Sequence, residues 1–281
     1  MGPHSRIRKC ALRVLDVALL NGAVASISYR IGAHGALRVK HYEVGGSAPA
    51  TLARPLTVAF GSDFHAGPTT HPAIFEQLAD ALRRRAPDVL LLGGDYVSCK
   101  PQYLSILLPF LTHYRPPLGI YAVLGNHDIW AGAAAIRRRL ETAGIEVLVN
   151  RHIRLAPPFD SIGICGIDDP WAGGPDVARA FDGAPPVRIF LTHSPDALLL
   201  LGDERFSLAL AGHTHGGQIA LADGTAIISA GGPLARTYGR GRFELPSNGP
   251  LIVSCGVGCS TLPVRVNADP DLILCTMSPG E

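Results

Sequence analysis

One pattern recurs along this chain: a short apolar run, a turn residue, and then side chains of the kinds that bind metal ions. It appears in five segments, of which only the fourth lacks glycine: LTVAFGSDFH, VLLLGGD, YAVLGNHD, VRIFLTHS and FSLALAGHTH. Runs this short, rich in leucine and β-branched residues and bounded by turn residues, predict buried strands. With 281 residues, 47% of them hydrophobic, the chain can bury one large core, and no linker-like stretch divides it.

Amphipathic helices are predicted between some of these strands. The segment HPAIFEQLADALRRRAP places its apolar residues on one helical face and stops at Pro87, and AGAAAIRRRLETAGI is a second helix. Alternating strands and helices imply a largely parallel sheet covered by helices. Ligands of such sheets lie beyond the carboxyl ends of the strands, where the polar residues of the five segments would emerge. The preceding glycines would let the backbone turn sharply and approach an ion.

The polar residues at these strand ends are candidate metal ligands. Taken singly they are weak evidence, because a lone histidine is more often a hydrogen-bonded structural residue and GNHD suits an ordinary turn. Taken together they would bury much unpaired polarity in an apolar sheet, which is unfavourable. A pair of divalent cations removes that penalty and is the usual clamp for displacement at phosphorus. Oxygen and imidazole ligands without cysteine favour Mn²⁺, Fe²⁺ or Zn²⁺ over Ca²⁺ or Mg²⁺.

The order of the motifs DFH, GGD, GNHD, THS and GHTH resembles that of the calcineurin-like metallophosphoesterase superfamily, over residues 56–215. Farther along, YGRGRFEL and residues 251–277 resemble a bacterial subgroup of small phosphodiesterases. Some members of that subgroup hydrolyse the pyrophosphate of UDP-2,3-diacylglucosamine in lipid A synthesis. The resemblance implies an α/β fold, a four-layer α/β/β/α sandwich with a dinuclear metal site at the strand ends.

The resemblance also implies a set of ligands. The residues that would hold the first cation are Asp63, His65 and His215. The residues that would hold the second are Asn126, His193 and His213. Asp95 would bridge the two cations.

The same resemblance implies hydrolysis by a metal-bridging hydroxide, with His127 as the catalytic acid that protonates the departing oxygen. We further expect Asp128 to orient His127 by accepting its second ring proton, with an ordinary surface aspartate as the alternative. Two substrate classes stay open: a lipid-linked nucleotide pyrophosphate such as UDP-2,3-diacylglucosamine, and a soluble phosphodiester of a nucleotide or of glycerol. A non-catalytic scaffold on the same fold is disfavoured, because His127 and every ligand position are retained.

Residues 1–36 are predicted to be a basic amphipathic segment that precedes a metallophosphoesterase domain at residues 37–281. Residues 1–50 carry a net charge of +5, whereas the whole chain carries +2. The apolar stretch at residues 11–29 is interrupted by charges and is shorter than the ~20 apolar residues that a span needs, although Ala23-Val24-Ala25 resembles a signal cleavage site. We therefore expect a surface helix in a cytoplasmic enzyme. It would be either a solvated arm or a peripheral contact with the anionic inner membrane, without specific nucleic-acid binding.

The cysteines are expected to be reduced and structural, with the pair Cys255 and Cys259 as weak evidence for a metal or redox site. The bacterial subgroup usually reads Ser-Arg-Gly-Leu-Gly where residues 254–258 read Ser-Cys-Gly-Val-Gly. If that arginine binds substrate phosphate, one of three others would have to replace it: Arg236, Arg240 or Arg242. Four more residues are expected either near the site or in ordinary packing: Trp130, Asp168, Asp169 and Trp171.

Overall fold

This computed structural model describes residues 19–45, 54–227 and 230–278. Within these ranges the apolar runs form strands. The strands of this part are Arg38–Val44 (β1), Leu56–Gly61 (β2), Val89–Leu92 (β3), Ile120–Ala122 (β4), Glu146–Val147 (β5), Arg151–Arg154 (β6), Ile162–Gly166 (β7), Val187–Leu191 (β8), Leu208–Ala211 (β9), Gly241–Phe243 (β10), Leu251–Val253 (β11) and Asp271–Met277 (β12). The α-helices are Ala23–Arg30 (α1), Ala73–Arg85 (α2), Leu104–Leu111 (α3), Asn126–Thr142 (α4) and Val177–Phe181 (α5).

These strands form two six-stranded sheets. The first has the order β1-β12-β2-β3-β4-β5, and the second has the order β10-β11-β9-β8-β7-β6. Strands β2 to β5 run parallel in the first sheet, as do β11, β9, β8 and β7 in the second. The five predicted strands are β2, β3, β4, β8 and β9, and all of them occupy interior positions. Each sheet therefore contributes its own group of strand ends.

Alternate residues of these strands face different cores. In β2, Val58 and Phe60 belong to the core between the sheets, whereas Ala59 faces the helices. In β8, Ile189 faces the same inter-sheet core and Phe190 faces the opposite side. Helices α2, α3 and α4 pack outside the first sheet, and α5 packs outside the second.

The four-layer α/β/β/α sandwich is thereby confirmed. The single sheet expected from strand–helix alternation alone is wrong, because the strands divide into two sheets. Both sheets are largely parallel, as expected, and the first contains one antiparallel pair and the second contains two.

Both predicted helices form. Helix α2 buries Ile74, Phe75 and Leu78, and it ends at Ala86, a left-handed residue (φ 45°) just before Pro87. The second predicted helix is the part of α4 that follows a kink at Gly132 (φ 141°), and α4 as a whole begins at Asn126, inside the GNHD motif. The first turn of α4 therefore carries candidate functional residues.

The described part of the predicted surface helix is α1, and residues 11–18 lie outside the described residues. Helix α1 contacts the rest of the chain: the Ser28 hydroxyl donates to the Pro263 carbonyl, and the rings of Tyr29 and His71 stack with centroids 4.5 Å apart. His34, just beyond α1, is fully buried. Among the described residues, every helix is too short or too polar to cross a bilayer.

Candidate metal centre

Five candidate ligands leave the strand ends on unusual backbone. Asp63 and His65 follow β2, Asp95 follows β3, and His213 and His215 follow β9. All five have positive φ angles, between 43° and 71°. Residues with a Cβ adopt this region at an energetic penalty, and such residues cluster at functional sites. The strain is therefore concentrated where the polar side chains converge.

Some glycines beside these ligands have positive φ angles, such as Gly94 before Asp95 (φ 88°), but two others serve close approach alone. Gly125 and Gly212 do not have positive φ angles. A Cβ on Gly212 would collide with the Asp63 carboxylate and the Ser62 hydroxyl, and a Cβ on Gly125 would collide with the Asp95 carboxylate. The space that a side chain would need is already filled by a neighbouring ligand.

The first group of ligands joins the ends of β2 and β9. The ligand atoms of Asp63, His65 and His215 all lie within 4.8 Å of one another. The Nε2 atoms of His65 and His215 are 3.0 Å apart, and His215 Nε2 is 3.4 Å from Asp63 Oδ1. Two neutral ring nitrogens at this distance need a proton or a cation between them, since two lone pairs repel. This donor set fits a divalent cation.

The second group centres on His193, which follows β8. Its Nδ1 atom faces the Gly93 carbonyl at 2.7 Å, which leaves Nε2 as the free ligand atom. That Nε2 lies 3.1 Å from Asn126 Oδ1 and 3.2 Å from His213 Nδ1. The other ring nitrogen of His213 faces the Gly231 carbonyl at 3.0 Å. Backbone carbonyls therefore hold both rings with one nitrogen turned toward the second group.

Asp95 lies between the two groups. Its Oδ2 atom is 3.5 Å from His65 Nε2 and 3.4 Å from His193 Nε2. A carboxylate in this position is what a bridge between two cations requires. The structure thus brings all seven predicted ligands together, and their individual roles stay predictions.

His127, in the first turn of α4, borders this cluster. Its ring centroid is 4.7 Å from that of His65, and its Nδ1 atom faces the Ser98 carbonyl at 2.8 Å. The main-chain N–H of His127 donates to Asp95 Oδ1 at 2.8 Å. A hydrogen bond therefore links His127, the predicted general acid, to Asp95, the predicted bridging carboxylate.

The expected role of Asp128 is wrong. Its carboxylate accepts hydrogen bonds from the main-chain N–H groups of Asp95, Tyr96 and Gly125, at 2.8, 2.9 and 3.0 Å. The ring of His127 is instead oriented by the Ser98 carbonyl. Asp128 is fully buried, so it is no surface aspartate either. It caps α4 and joins the loop after β3 to the start of that helix.

The sequence of the chain is similar to those of known proteins. The family model for calcineurin-like phosphoesterases matches residues 56–217, more than half of the chain. The chain belongs to this family. Its relatives include the uncharacterized metallophosphoesterase YkuE of Bacillus subtilis, 33% identical over 68% of both chains. An uncharacterized metallophosphoesterase of Aquifex aeolicus is 30% identical over 77% of this chain and 82% of that protein. Phosphodiesterase YaeI of Escherichia coli is 33% identical over 59% of this chain and 63% of that protein.

The protein is accordingly a metal-dependent phosphoric ester hydrolase, and the electrostatics of its cluster agree. Burial lowers the pKa values of His65 and His215 well below the usual range. Burial alone would raise the pKa of Asp95, but the facing imidazoles of His193 and His127 hold it well below its usual value. The phosphoesterase therefore presents neutral imidazoles at His65 and His215 and an ionised carboxylate at Asp95, which are the forms that bind divalent cations. Burial alone would lower the pKa of His193, but Asp95 raises it well above its usual value, so this ring must give up a proton when it binds a cation.

A cleft of about 360 Å³ opens over this cluster. Two of its lining residues are the tryptophans that the sequence left without a role. The ring centroid of Trp130 lies 5.1 Å from that of His127, and that of Trp171 lies 5.2 Å from that of His213. The indole Nε1–H of Trp171 donates to Asp196 at 2.9 Å. The ring of Trp171 is thus fixed at the cleft wall of the phosphoesterase.

The GIDDPW segment builds that wall. One carboxylate oxygen of Asp169, Oδ2, accepts the main-chain N–H groups of Trp171 and Ala172, at 2.9 and 2.6 Å. Asp168 accepts the N–H of Gly174 at 2.9 Å. These two aspartates shape the loop that presents Trp171, so they lie near the site without being candidate ligands.

The arginine that the bacterial subgroup usually has is not replaced at the cleft. Cys255 is buried, with its Sγ 3.6 Å from the Lys40 ammonium group. None of the three arginines expected as replacements is among the described residues that line the cleft. Arg240 instead donates to the Asn267 carbonyl, and Arg242 to the Glu43 carbonyl.

Sequence reasoning missed one buried arginine behind the cluster. Arg265 is 5% exposed and donates to the carbonyls of Gly258 and Ala268, at 3.0 and 2.8 Å. One of its guanidinium nitrogens lies 3.5 Å from the ring of His215. Its position inside the apolar run TLPVRV was the available signal, because an arginine in such a run must be satisfied internally.

Proposed function

We propose that the protein hydrolyses a phosphodiester or pyrophosphate bond with two divalent cations and His127 as general acid. The observation that carries this proposal is the position of the Asp95 carboxylate, between His65 and His193 and bonded to the N–H of His127. When bound, the cations supply a hydroxide nucleophile and neutralise charge on the phosphoryl oxygens.

The residues of the chain provide the proton. The Ser98 carbonyl is an acceptor, so Nδ1 of His127 must carry the hydrogen between them. Nε2 is then the atom that holds and releases the transferred proton. Its ring lines the cleft beside Trp130, where a departing oxygen is accessible to it. This arrangement supports general-acid catalysis.

The first test is metal-dependent hydrolysis of bis-p-nitrophenyl phosphate by the purified full-length protein. We expect activity with Mn²⁺, Fe²⁺ or Zn²⁺ and its loss with a chelator, since the donors are imidazole, carboxylate and amide groups. Inactivity with every one of these metals would contradict the proposal and favour the non-catalytic scaffold.

The second test is His127→Ala. General-acid catalysis contributes about 10²–10⁴-fold, so the variant should lose that much turnover on substrates with alkoxide leaving groups. It should lose much less on p-nitrophenyl esters, whose leaving group departs without protonation, and its metal content should not change. His113→Ala, at an exposed histidine outside the cleft, is the matched control. Equal losses on both leaving groups would argue against the acid role.

We further propose a lipid-linked nucleotide such as UDP-2,3-diacylglucosamine as substrate. The tryptophan rings suit a planar base, and the apolar side chains of Ile219 and Leu262 at the same cleft suit acyl chains. A soluble nucleotide is the second candidate, because it needs the tryptophans alone.

A comparison of substrates separates these candidates. Turnover of UDP-2,3-diacylglucosamine should exceed that of UDP-N-acetylglucosamine, which lacks the acyl chains, and that of glycerophosphodiesters. Equal kcat/KM for the acylated and the unacylated nucleotide would favour the soluble substrate.

A further inference from the structure

Several large hydrophobic side chains are exposed to solvent, and one of them, Leu262, lines the cleft. Six of them are between 43% (Val266) and 73% (Ile31) exposed. These six residues, called the apolar face below, are Ile27, Ile31, Leu221, Ile227, Leu262 and Val266. The other large hydrophobics exposed in the described ranges are Trp171, Leu199 and Leu200. Exposed side chains of this kind usually occur singly, and a contiguous set marks an interaction surface.

The residues of the apolar face lie on three neighbouring segments. Residues 261–266 run beside helix α1, since the Ser28 hydroxyl donates to the Pro263 carbonyl and the Arg265 N–H donates to the Ala33 carbonyl at 2.8 Å. On the other side, residues 261–266 pair with residues 219–227. The Ala220 N–H donates to Val266 at 2.9 Å. The Ile227 N–H donates to Ile219 at 2.9 Å. These hydrogen bonds thus hold the three segments that carry the apolar face next to one another.

This surface reaches the cleft. Leu262 belongs to the apolar face and also lines the cleft that contains His127. Ile219, bridged to Val266, lines the same cleft. Whatever covers the apolar face therefore lies at the mouth of the catalytic cleft.

The charges close to α1 in the sequence indicate what kind of partner covers the apolar face. Residues 1–18, directly before α1, contain four cationic side chains and one anionic side chain, Arg6, Arg8, Lys9, Arg13 and Asp16. Arg30, on α1 itself, is exposed. Apolar side chains next to a basic segment are typical of proteins that lie on anionic bilayers. A second copy of the chain would carry the same excess of positive charge in this part of its sequence, and like charges disfavour a symmetric interface.

We propose that the apolar face inserts into the interface of a bilayer that contains anionic phospholipids, with residues 1–18 supplying electrostatic attraction. The mouth of the cleft then opens at the membrane surface. The proposal concerns binding alone, so it stands or fails independently of the substrate and of the hydrolytic mechanism.

The test is co-sedimentation of the full-length protein with vesicles, either of phosphatidylcholine alone or of phosphatidylcholine mixed with phosphatidylglycerol. The wild type should bind the anionic vesicles, and added salt should weaken the binding. Ile27→Glu combined with Ile31→Glu should weaken it by more than about tenfold, because two apolar side chains are lost from the buried surface. Leu199→Glu combined with Leu200→Glu is the matched control, since these leucines are 61% and 46% exposed on a different turn. The control should bind as the wild type does.

A charge variant tests the second part of the proposal. Serine at the four basic positions 6, 8, 9 and 13 should remove the preference for anionic vesicles and keep the rate on bis-p-nitrophenyl phosphate. The double isoleucine variant should also keep that rate, which shows that it is folded. The proposal is overturned if the wild type does not bind, if both glutamate pairs weaken binding equally, or if the charge variant keeps its lipid preference. It is also overturned if sedimentation velocity shows a dimer that only Ile27→Glu with Ile31→Glu dissociates, because the apolar face then binds a second copy.

Discussion

The metal cluster buries carboxylates and imidazoles at the strand ends, whereas the apolar face leaves isoleucine, leucine and valine side chains in water at the mouth of the same cleft. The two regions depart from the ordinary distribution of residues in opposite directions. In the cluster, polar groups face one another in an arrangement that a cation would satisfy. On the apolar face, the side chains are exposed to solvent. A bound cation that neutralises charge would explain the first departure, and under our proposal a membrane surface that excludes water explains the second.

The largest effect should come from the residue that joins the two ligand groups. Asp95→Asn removes the charge between His65 and His193 but keeps Oδ1 as acceptor for the N–H of His127. Metal ions supply several kcal/mol of transition-state stabilisation, so we expect kcat/KM to fall by at least about 10³-fold. Steady-state kinetics with bis-p-nitrophenyl phosphate and metal analysis measure this. A loss below about tenfold would mean that Asp95 does not bridge.

A methyl group in the cluster should have the next largest effect. Gly212→Ala places a Cβ against the Asp63 carboxylate and the Ser62 hydroxyl, so the first ligand group must shift. Misplacement by about 1 Å lowers rates by about 10²-fold, and we expect a loss of that order together with weaker metal binding. Gly174→Ala is the control, because no atom lies within 4 Å of its added Cβ. Equal activity of the two variants would show that the cluster tolerates displacement.

His34 is a buried imidazole outside the metal cluster, so it shows what burial of such a ring does to stability where no cation is expected to bind it. Burial, and then the charge of Arg265, lower its pKa from 6.5 to about 4, and neither ring nitrogen has a hydrogen-bond partner. Between these pH values the unfolded chain binds a proton that the folded chain does not. The titration of His34 therefore does not lower the free energy of unfolding above pH 6.5, but it lowers it by about 3 kcal/mol in total as the pH falls toward 4.

His34→Leu should remove that part of the pH dependence and be at least as stable as the wild type at pH 8, since an unsatisfied polar group is lost. Urea unfolding at several pH values compares the two proteins. Parallel curves of unfolding free energy against pH would contradict the assignment to His34.

The smallest effect should come from the apolar face. Leu221→Ser combined with Ile227→Ser replaces two side chains that are about half exposed. Surface substitutions of this kind usually change stability by less than about 0.5 kcal/mol. We expect unchanged unfolding and unchanged hydrolysis of bis-p-nitrophenyl phosphate. Marked destabilisation would show that these side chains pack within the protein and do not await a partner.

The sequence predicted the metal cluster far better than the arrangement of the sheets. Ligands at strand ends carry a residue-type signal, and the five motifs supplied it. Strand β2, in contrast, is buried on both faces, so Val58 and Ala59 look alike in the sequence although they face different cores. Periodicity therefore could not divide the strands between two sheets, and the resemblance to a known family had to supply that division.

The error over Asp128 has a local cause. The helix was predicted to start after the GNHD motif, which would leave Asp128 in a loop beside His127. Helix α4 starts at Asn126, so Asp128 falls in its first turn, where unpaired N–H groups attract a carboxylate. Sequence reasoning predicted only part of the apolar face, the surface helix that contains Ile27, because a sequence does not distinguish exposed isoleucines from buried ones.

The three hydrogen bonds of Asp128 have a consequence for metal exchange. They join the main chain at Asp95 and Tyr96 to Gly125, and they involve no ion. Bonds within the protein itself therefore hold one side of the cluster, whether or not a cation is bound. Removing the metal ions and supplying another divalent metal should leave this side in place.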